Sequence, residues 1–208
     1  MLEFLEGRAS ERKLRLFAVA CCRRLHDLLW DPALGDAIRV AEACADHRRS
    51  KSERVRAWNK AERLRPRGLQ RQCAQMAVAS TIRPDPFMPG YVAQSAMFAL
   101  ADLPEKSRTT IHRLRRGERT AQVHLLRDII GNPFRPATLD PTALTWNGGT
   151  VPKMAQVIYD DRAFDRLPIL ADALEEAGCT DADILAHCRS EGPHVRGCWV
   201  VDLILGKS

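Results

Sequence analysis

No stretch of this chain approaches the ~20 consecutive apolar residues that cross a bilayer, so no membrane association is expected. The opening, MLEFLEGRASERKLRLFAVACC, has no basic segment ahead of its apolar residues and is interrupted by charge throughout, which predicts no secretory signal. There is no CxxC, no GxGxxG, no GxxxxGK[ST], no GxSxG and no HExxH. Dinucleotide binding, phosphate-loop chemistry, serine hydrolysis and zinc proteolysis are therefore unsupported. There is no fixed-period repeat and no low-complexity tract. With no cysteine knuckle, seven cysteines (an odd number) read as free thiols in a reducing, cytoplasmic setting, several of them buried as small hydrophobes.

What is present is globular. In 208 residues, 45% are hydrophobic and 28% charged, enough apolar surface to offset the entropy of ordering. The expected architecture is all-α: an irregular multi-helix domain over 1–208, with a proline-rich connector before a C-terminal helical module. It allows a subdivision into N-terminal helices over 1–130, carrying a basic insert at 48–71, and a module over 131–208.

Ser10 is positioned to cap a helix whose stripe of Leu14, Phe17, Ala18, Cys21, Leu25, Leu28 and Leu29 repeats at 3.6 residues, with Pro32 as its stop. Further helices are expected over Leu34–His47, Gln70–Ile82 and Tyr91–Leu103, the last stopped by Pro104. Glu105–Ile130 should be helical with a break at Gly117. After Asp140, Pro141 to Leu144 suits a single turn, Thr150 caps a helix through Asp161, and Leu167–Ala177 ends at Gly178. Thr180 and Asp183 resemble a capping box. Pro193–Leu205 is apolar on nearly every side and, lacking a partner strand, reads as a buried helix.

Residues 179–199, CTDADILAHCRSEGPHVRGCW, hold three cysteines and two histidines. One metal geometry follows from helical spacing. His194 and Cys198 are four apart, as are Cys22 and His26, and two packed helices would bring them into a tetrahedron. Without a knuckle, packing explains the cysteines better, and neither a bound zinc nor any other cofactor is expected. The same pairs fail as nucleophile and base, because no strained turn presents either thiol; no catalytic residue is assigned. Asp160, Asp161, Asp165, Glu175 and Glu176 read as a solvated acidic surface.

The net charge of +6 is uneven. Residues 48–71 contain ten Lys or Arg against Glu53 and Glu62, a local +8, so the other 184 residues sum to −2. Arg48, Arg49, Lys51, Arg54, Arg56, Lys60, Arg63, Arg65, Arg67 and Arg71 supply charge for phosphates, and Trp58 a ring on which a base could stack.

Three stretches resemble a large paralogous family of uncharacterised planctomycete-type bacterial proteins. They are MLEFLEGRASERKLRLFAVACCRRL, LLRDIIGNPFRP, and LTWNGGTV onward through AQVIYDDRAFDRLPILADALEEAGCTDADILAHCR and GPHVRGCWVVDLILGK. The likeness covers the first ~47 and last ~90 residues; the centre is Arg-rich here, where family members resemble one another in an Ala-rich helix. The resemblance implies a bacterial, cytoplasmic protein with a helical end-module, and implies no activity. The leading functional expectation is a non-enzymatic helical interaction module with a protein partner. The alternatives are nucleic-acid association through 48–71 and a zinc-stabilised domain.

Overall fold

Side-chain caps set where the helices begin. Ser10 accepts from the Lys13 N–H, Asp31 from Ala33, Asp140 from Thr142 and Asp181 from Asp183 and Ile184, each satisfying donors that the first helical turn leaves open. The computed structural model describes residues 2–5, 7–84, 87–101 and 106–207, and among them the regular structure is helical, with no strand. No helix among the described residues is long and apolar enough to cross a membrane. The chain divides into two compact units, 1–123 and 124–208.

The N-terminal unit holds α1 (Leu2–Leu5), α2 (Glu11–Arg23), α3 (Pro32–Ala45), α4 (Lys51–Glu62), α5 (Leu69–Ile82), α6 (Pro89–Ala101) and the first part of α7 (Arg108–Ile130). Helices α2, α3, α5 and α6 pack on one another, and α4 lies against α3 and α5. Alanines fill much of the interior: Ala18, Ala37, Ala41, Ala74, Ala77 and Ala96 are all inaccessible. Such small contact residues allow close axes, toward the ~8 Å end of the usual range. Arg15 is buried among them, donating to the Thr81 carbonyl at 2.7 Å and to Glu11 at 2.5 Å. The buried Glu118 carboxylate is gripped by Arg24 and bonded by Gln122.

The C-terminal unit contains the end of α7, α8 (Pro141–Asp161), α9 (Leu167–Glu176), α10 (Ala182–Arg189) and α11 (Trp199–Leu205). Its core joins Val151, Ile158, Tyr159, Leu167, Leu170, Leu174, Ile184, Cys188, Val200, Val201 and Ile204. Non-helical backbone at Trp146–Gly149 breaks α8, so the expected single turn after Asp140 and the helix through Asp161 are both present.

Four local expectations need correction. Helix α2 ends at Arg23 and does not run to Pro32; Leu25, Leu28 and Leu29 lie beyond it, on a separate one-turn 3-10 helix and its flanks. Gly117 does not break α7, which runs unbroken from Arg108 to Ile130; one exposed glycine costs about 1 kcal/mol, and the Arg, Glu and Leu around it are good helix formers. The cap of α10 is Asp181, not a box of Thr180 and Asp183, because the Asp181 carboxylate reaches two N–H groups itself. The last helix starts at Trp199, not Pro193: Gly197 adopts φ +99° and Cys198 φ −45°, ψ 127°, which keeps 193–198 out of the helix. Pro104 and Glu105, expected as a stop and a start, lie outside the described residues, as do Asp85 and Pro86 of the connector.

Candidate metal centre

Four side chains converge inside the C-terminal unit: Asp128, His187, His194 and Cys198, whose ligating atoms all lie within 4.8 Å of one another. Each comes from a different piece of backbone. Asp128 sits in the last turn of α7, just before Gly131. That glycine follows the helix at φ +71°, and a Cβ there would stand 3.0 Å from the Trp199 ring, so only glycine lets the indole lie against it. His187 is on the last turn of α10, His194 is in the irregular segment after it, and Cys198 is the residue that opens α11. Trp199 also stacks at a tilt on His187, with ring centroids 5.1 Å apart.

The distances are short. His194 Nδ1 is 2.8 Å and His187 Nε2 3.2 Å from Asp128 Oδ1, and His187 Nε2 is 3.2 Å from Cys198 Sγ. Zinc bond lengths of about 2.0–2.3 Å at the tetrahedral angle put neighbouring ligand atoms roughly 3.3–3.6 Å apart. A zinc ion would thus need shifts of a few tenths of an ångström at the short pairs and about 1 Å at the widest. The Asp128 and His194 side chains are 3% and 8% exposed and Cys198 is inaccessible.

An outer layer orients the ligands. Asp128 Oδ2 accepts the Val195 N–H at 2.9 Å, which leaves Oδ1 facing the cluster. The Ser190 hydroxyl donates to the His187 carbonyl at 2.8 Å, and His194 Nε2 lies 3.1 Å from the Ser190 carbonyl, to which it donates. With that N–H committed, Nδ1 either carries a second proton toward Asp128 or offers a lone pair to a cation. A histidine ligand whose other nitrogen binds a carbonyl is the usual arrangement in zinc sites.

Electrostatics set Asp128, His194 and Cys198 against one another. Burial pushes the Asp128 pKa up, but the hydrogen bonds from His187, His194 and the Val195 N–H outweigh it, so its carboxylate is favoured. For His194, burial disfavours the charged ring, and the bonds to Asp128 and Ser190 reverse this, raising its pKa. Burial drives the Cys198 thiol well up, and the Asp128 charge adds to that. The N–H groups of Val201 and Val200 pull the other way without forming a capping hydrogen bond to the sulfur. A divalent cation among the four would favour the thiolate and the neutral imidazoles and further favour the carboxylate, since a coordinated thiol is deprotonated.

Spacing alone nominated His194 and Cys198 and missed their partners. Cys22 and His26, expected to complete the set, are engaged in the N-terminal unit. The Cys22 sulfur is 3.1 Å from Thr81 Oγ1, and burial raises its pKa to about 12. Helix α2 ends at Arg23, so His26 falls on a one-turn 3-10 helix, exposed and beside Asp27. Asp128 reads from sequence as an ordinary acid on an amphipathic helix, and His187 as a helix-end residue; no local pattern links them across 59 positions.

The basic segment forms a capped helix. Ser50 and Glu53 bond reciprocally across the first turn of α4, and the Ser50 N–H with Arg49 holds the Glu53 carboxyl down at about 2. Arg48 and Arg49 precede α4; Lys51, Arg54, Arg56, Trp58 and Lys60 lie on it. Arg63 caps its end, Arg65 and Arg67 lie in the following loop, and Arg71 opens α5. Arg54 and Trp58 are partly buried; the remaining nine are exposed.

The chain matches no protein-family model, no curated protein and no solved structure.

Proposed function

We propose that the C-terminal unit is a zinc-stabilised helical module, and that the chain acts by binding and not by catalysis. The observation that carries this reading is the convergence of a carboxylate, two imidazoles and a thiol, each from a different backbone element, on one point inside a buried cluster. Oxygen, nitrogen and sulfur ligands in that ratio suit Zn²⁺, and thiolate with imidazole disfavours Mg²⁺ or Ca²⁺. Charge favours it as well: Zn²⁺ with one carboxylate, one thiolate and two neutral histidines is neutral, so the burial cost of isolated charges is avoided. Four protein ligands leave no open position, which is the pattern of a structural site and not a hydrolytic one. The ion would tie the end of α7, the end of α10 and the start of α11 to the irregular segment 190–198, which has no hydrogen-bonded ladder of its own.

Cobalt substitution tests the ligand set. Co²⁺ added to metal-free protein should give the intense visible bands of a tetrahedral site, with a near-ultraviolet thiolate-to-cobalt charge-transfer band. Cys198→Ser should remove the charge-transfer band. A weak octahedral spectrum, or a charge-transfer band that survives Cys198→Ser, would overturn the assignment.

A further inference from the structure

We infer that the N-terminal unit binds single-stranded nucleic acid across α4, seating a phosphate in a basic cavity at the head of the helix and a base against Trp58. Two open cavities flank this helix. The first, about 390 Å³, is lined by Arg12, Arg15, Arg49, Lys51 and Arg54 against the single acid Glu11. Three of these cations already have partners: Arg12 with Asp46, Arg15 with Glu11, and Arg49 with Glu53. Lys51 and Arg54 carry the surplus. Arg54 donates to the Pro84 carbonyl and stands 3.8 Å from Glu11, while its Nε is buried without a hydrogen-bond acceptor. A buried donor left unmatched is costly, and a phosphate oxygen is the strongest acceptor such a group can take.

The second cavity, about 330 Å³, is lined by Trp58, Met76, Met88 and Tyr91, with Arg83 and Glu62 at its polar side. Tyr91 and Met88 are 37% and 49% exposed, so this is accessible aromatic and thioether surface and not core. Residues near in sequence touch both sides: the Pro84 carbonyl accepts from Arg54, the Phe87 ring carries Arg15 at 4.3 Å, and Met88 lines the aromatic cavity.

Arg54 and Trp58 are four apart on α4 and therefore share a face, about 6 Å apart along the axis. That separation is of the order of the reach from a phosphate across its sugar to the base. A phosphate pocket and a stacking ring so spaced describe one nucleotide of an unpaired strand; in a duplex the base would be stacked on its neighbours and unavailable. A polynucleotide is favoured over a free nucleotide because exposed Arg56, Lys60, Arg63, Arg65 and Arg67 continue the charge well beyond one phosphate.

The test is fluorescence anisotropy of the full chain with a labelled oligo-dT longer than the ~4–16 nucleotides that a single-strand site covers. Binding at ~50 mM salt should weaken steeply as salt rises, by about 0.7 log unit of affinity per log unit of salt for each phosphate neutralised. Trp58→Ala should weaken it roughly ten-fold with the salt slope unchanged, and Trp58→Phe should restore most of the loss. Lys51→Gln should cost more than Lys60→Gln, although each removes one exposed charge, because only Lys51 lines the phosphate cavity. Melts of each variant keep folding separate from binding, and Lys51 and Lys60, both exposed, remain informative if a Trp58 variant is destabilised. Equal losses at Lys51 and Lys60, duplex binding as tight as single-strand binding, or no binding at ~50 mM salt would each overturn the inference. A mononucleotide that displaces the oligomer at equal concentration would do so too, by showing that the strand is not the ligand. None of these readouts depends on the zinc centre.

Discussion

Removing the metal with a chelator should lower the melting temperature of the C-terminal unit by about 15 °C or more. Free zinc at a thousand times its dissociation constant stabilises the folded form by about 4 kcal/mol. In a unit of this size, 1 kcal/mol moves the midpoint by about 4–8 °C. The unit also has an apolar core independent of the site, built on Ile158, Tyr159, Leu170 and Leu174. The account therefore predicts destabilisation and not the complete unfolding seen when a zinc finger loses its ion. Hydrogen exchange would locate the effect: amides of 187–201 should lose protection first, and those of α2 to α6 should not change. Re-addition of zinc, but not of magnesium, should restore the midpoint. A melt indifferent to chelator would mean that the cluster is held without a metal, by the contacts of Asp128 with His194, His187 and the Val195 N–H.

Cys198→Ala should destabilise the chain by about 3 kcal/mol or more, and should at the same time abolish the response to chelator. The comparison is Cys188→Ala, which removes another fully buried thiol that has no place in the cluster. As plain core fillers, both cysteines are worth about 1 kcal/mol, the transfer free energy of one small group. As a ligand, Cys198 also carries the zinc, so its loss and chelation remove the same interaction and must be non-additive. Cys188→Ala should lose about 1 kcal/mol and keep the full chelator response. Equal costs for the two substitutions, with chelator sensitivity intact in both, would return Cys198 to the packing role that its sequence context suggested.

The helices were readable from local chemistry because their determinants are local. Ser10, Asp140 and Gly178 do their work within a turn of their own positions, and Leu14, Phe17, Ala18 and Cys21 repeat within α2, although the continuation of that stripe to Leu29 falls beyond the helix end at Arg23. The misreadings are places where a second local feature decided the outcome. Gly197 delayed α11 by six residues, and Asp181 took the cap expected of Thr180. The site was half readable for a different reason. His194 and Cys198 lie four apart, but the helical geometry assumed for them is wrong, since both precede α11. They meet through the turn at Gly197. Asp128 joins them only because α7 ends where Gly131 admits Trp199, a tertiary contact with no sequence signature. The basic segment was legible as charge, while its two cavities depend on Arg15, Met88 and Tyr91, which come from outside it.

The most direct measurement is the zinc content of full-length protein purified without chelators, by elemental analysis against protein concentration. The account predicts one zinc per chain in the unmodified protein and less than a tenth of that in Cys198→Ala. A folded, monodisperse preparation that contains no zinc and takes up none when the ion is supplied in excess would contradict it.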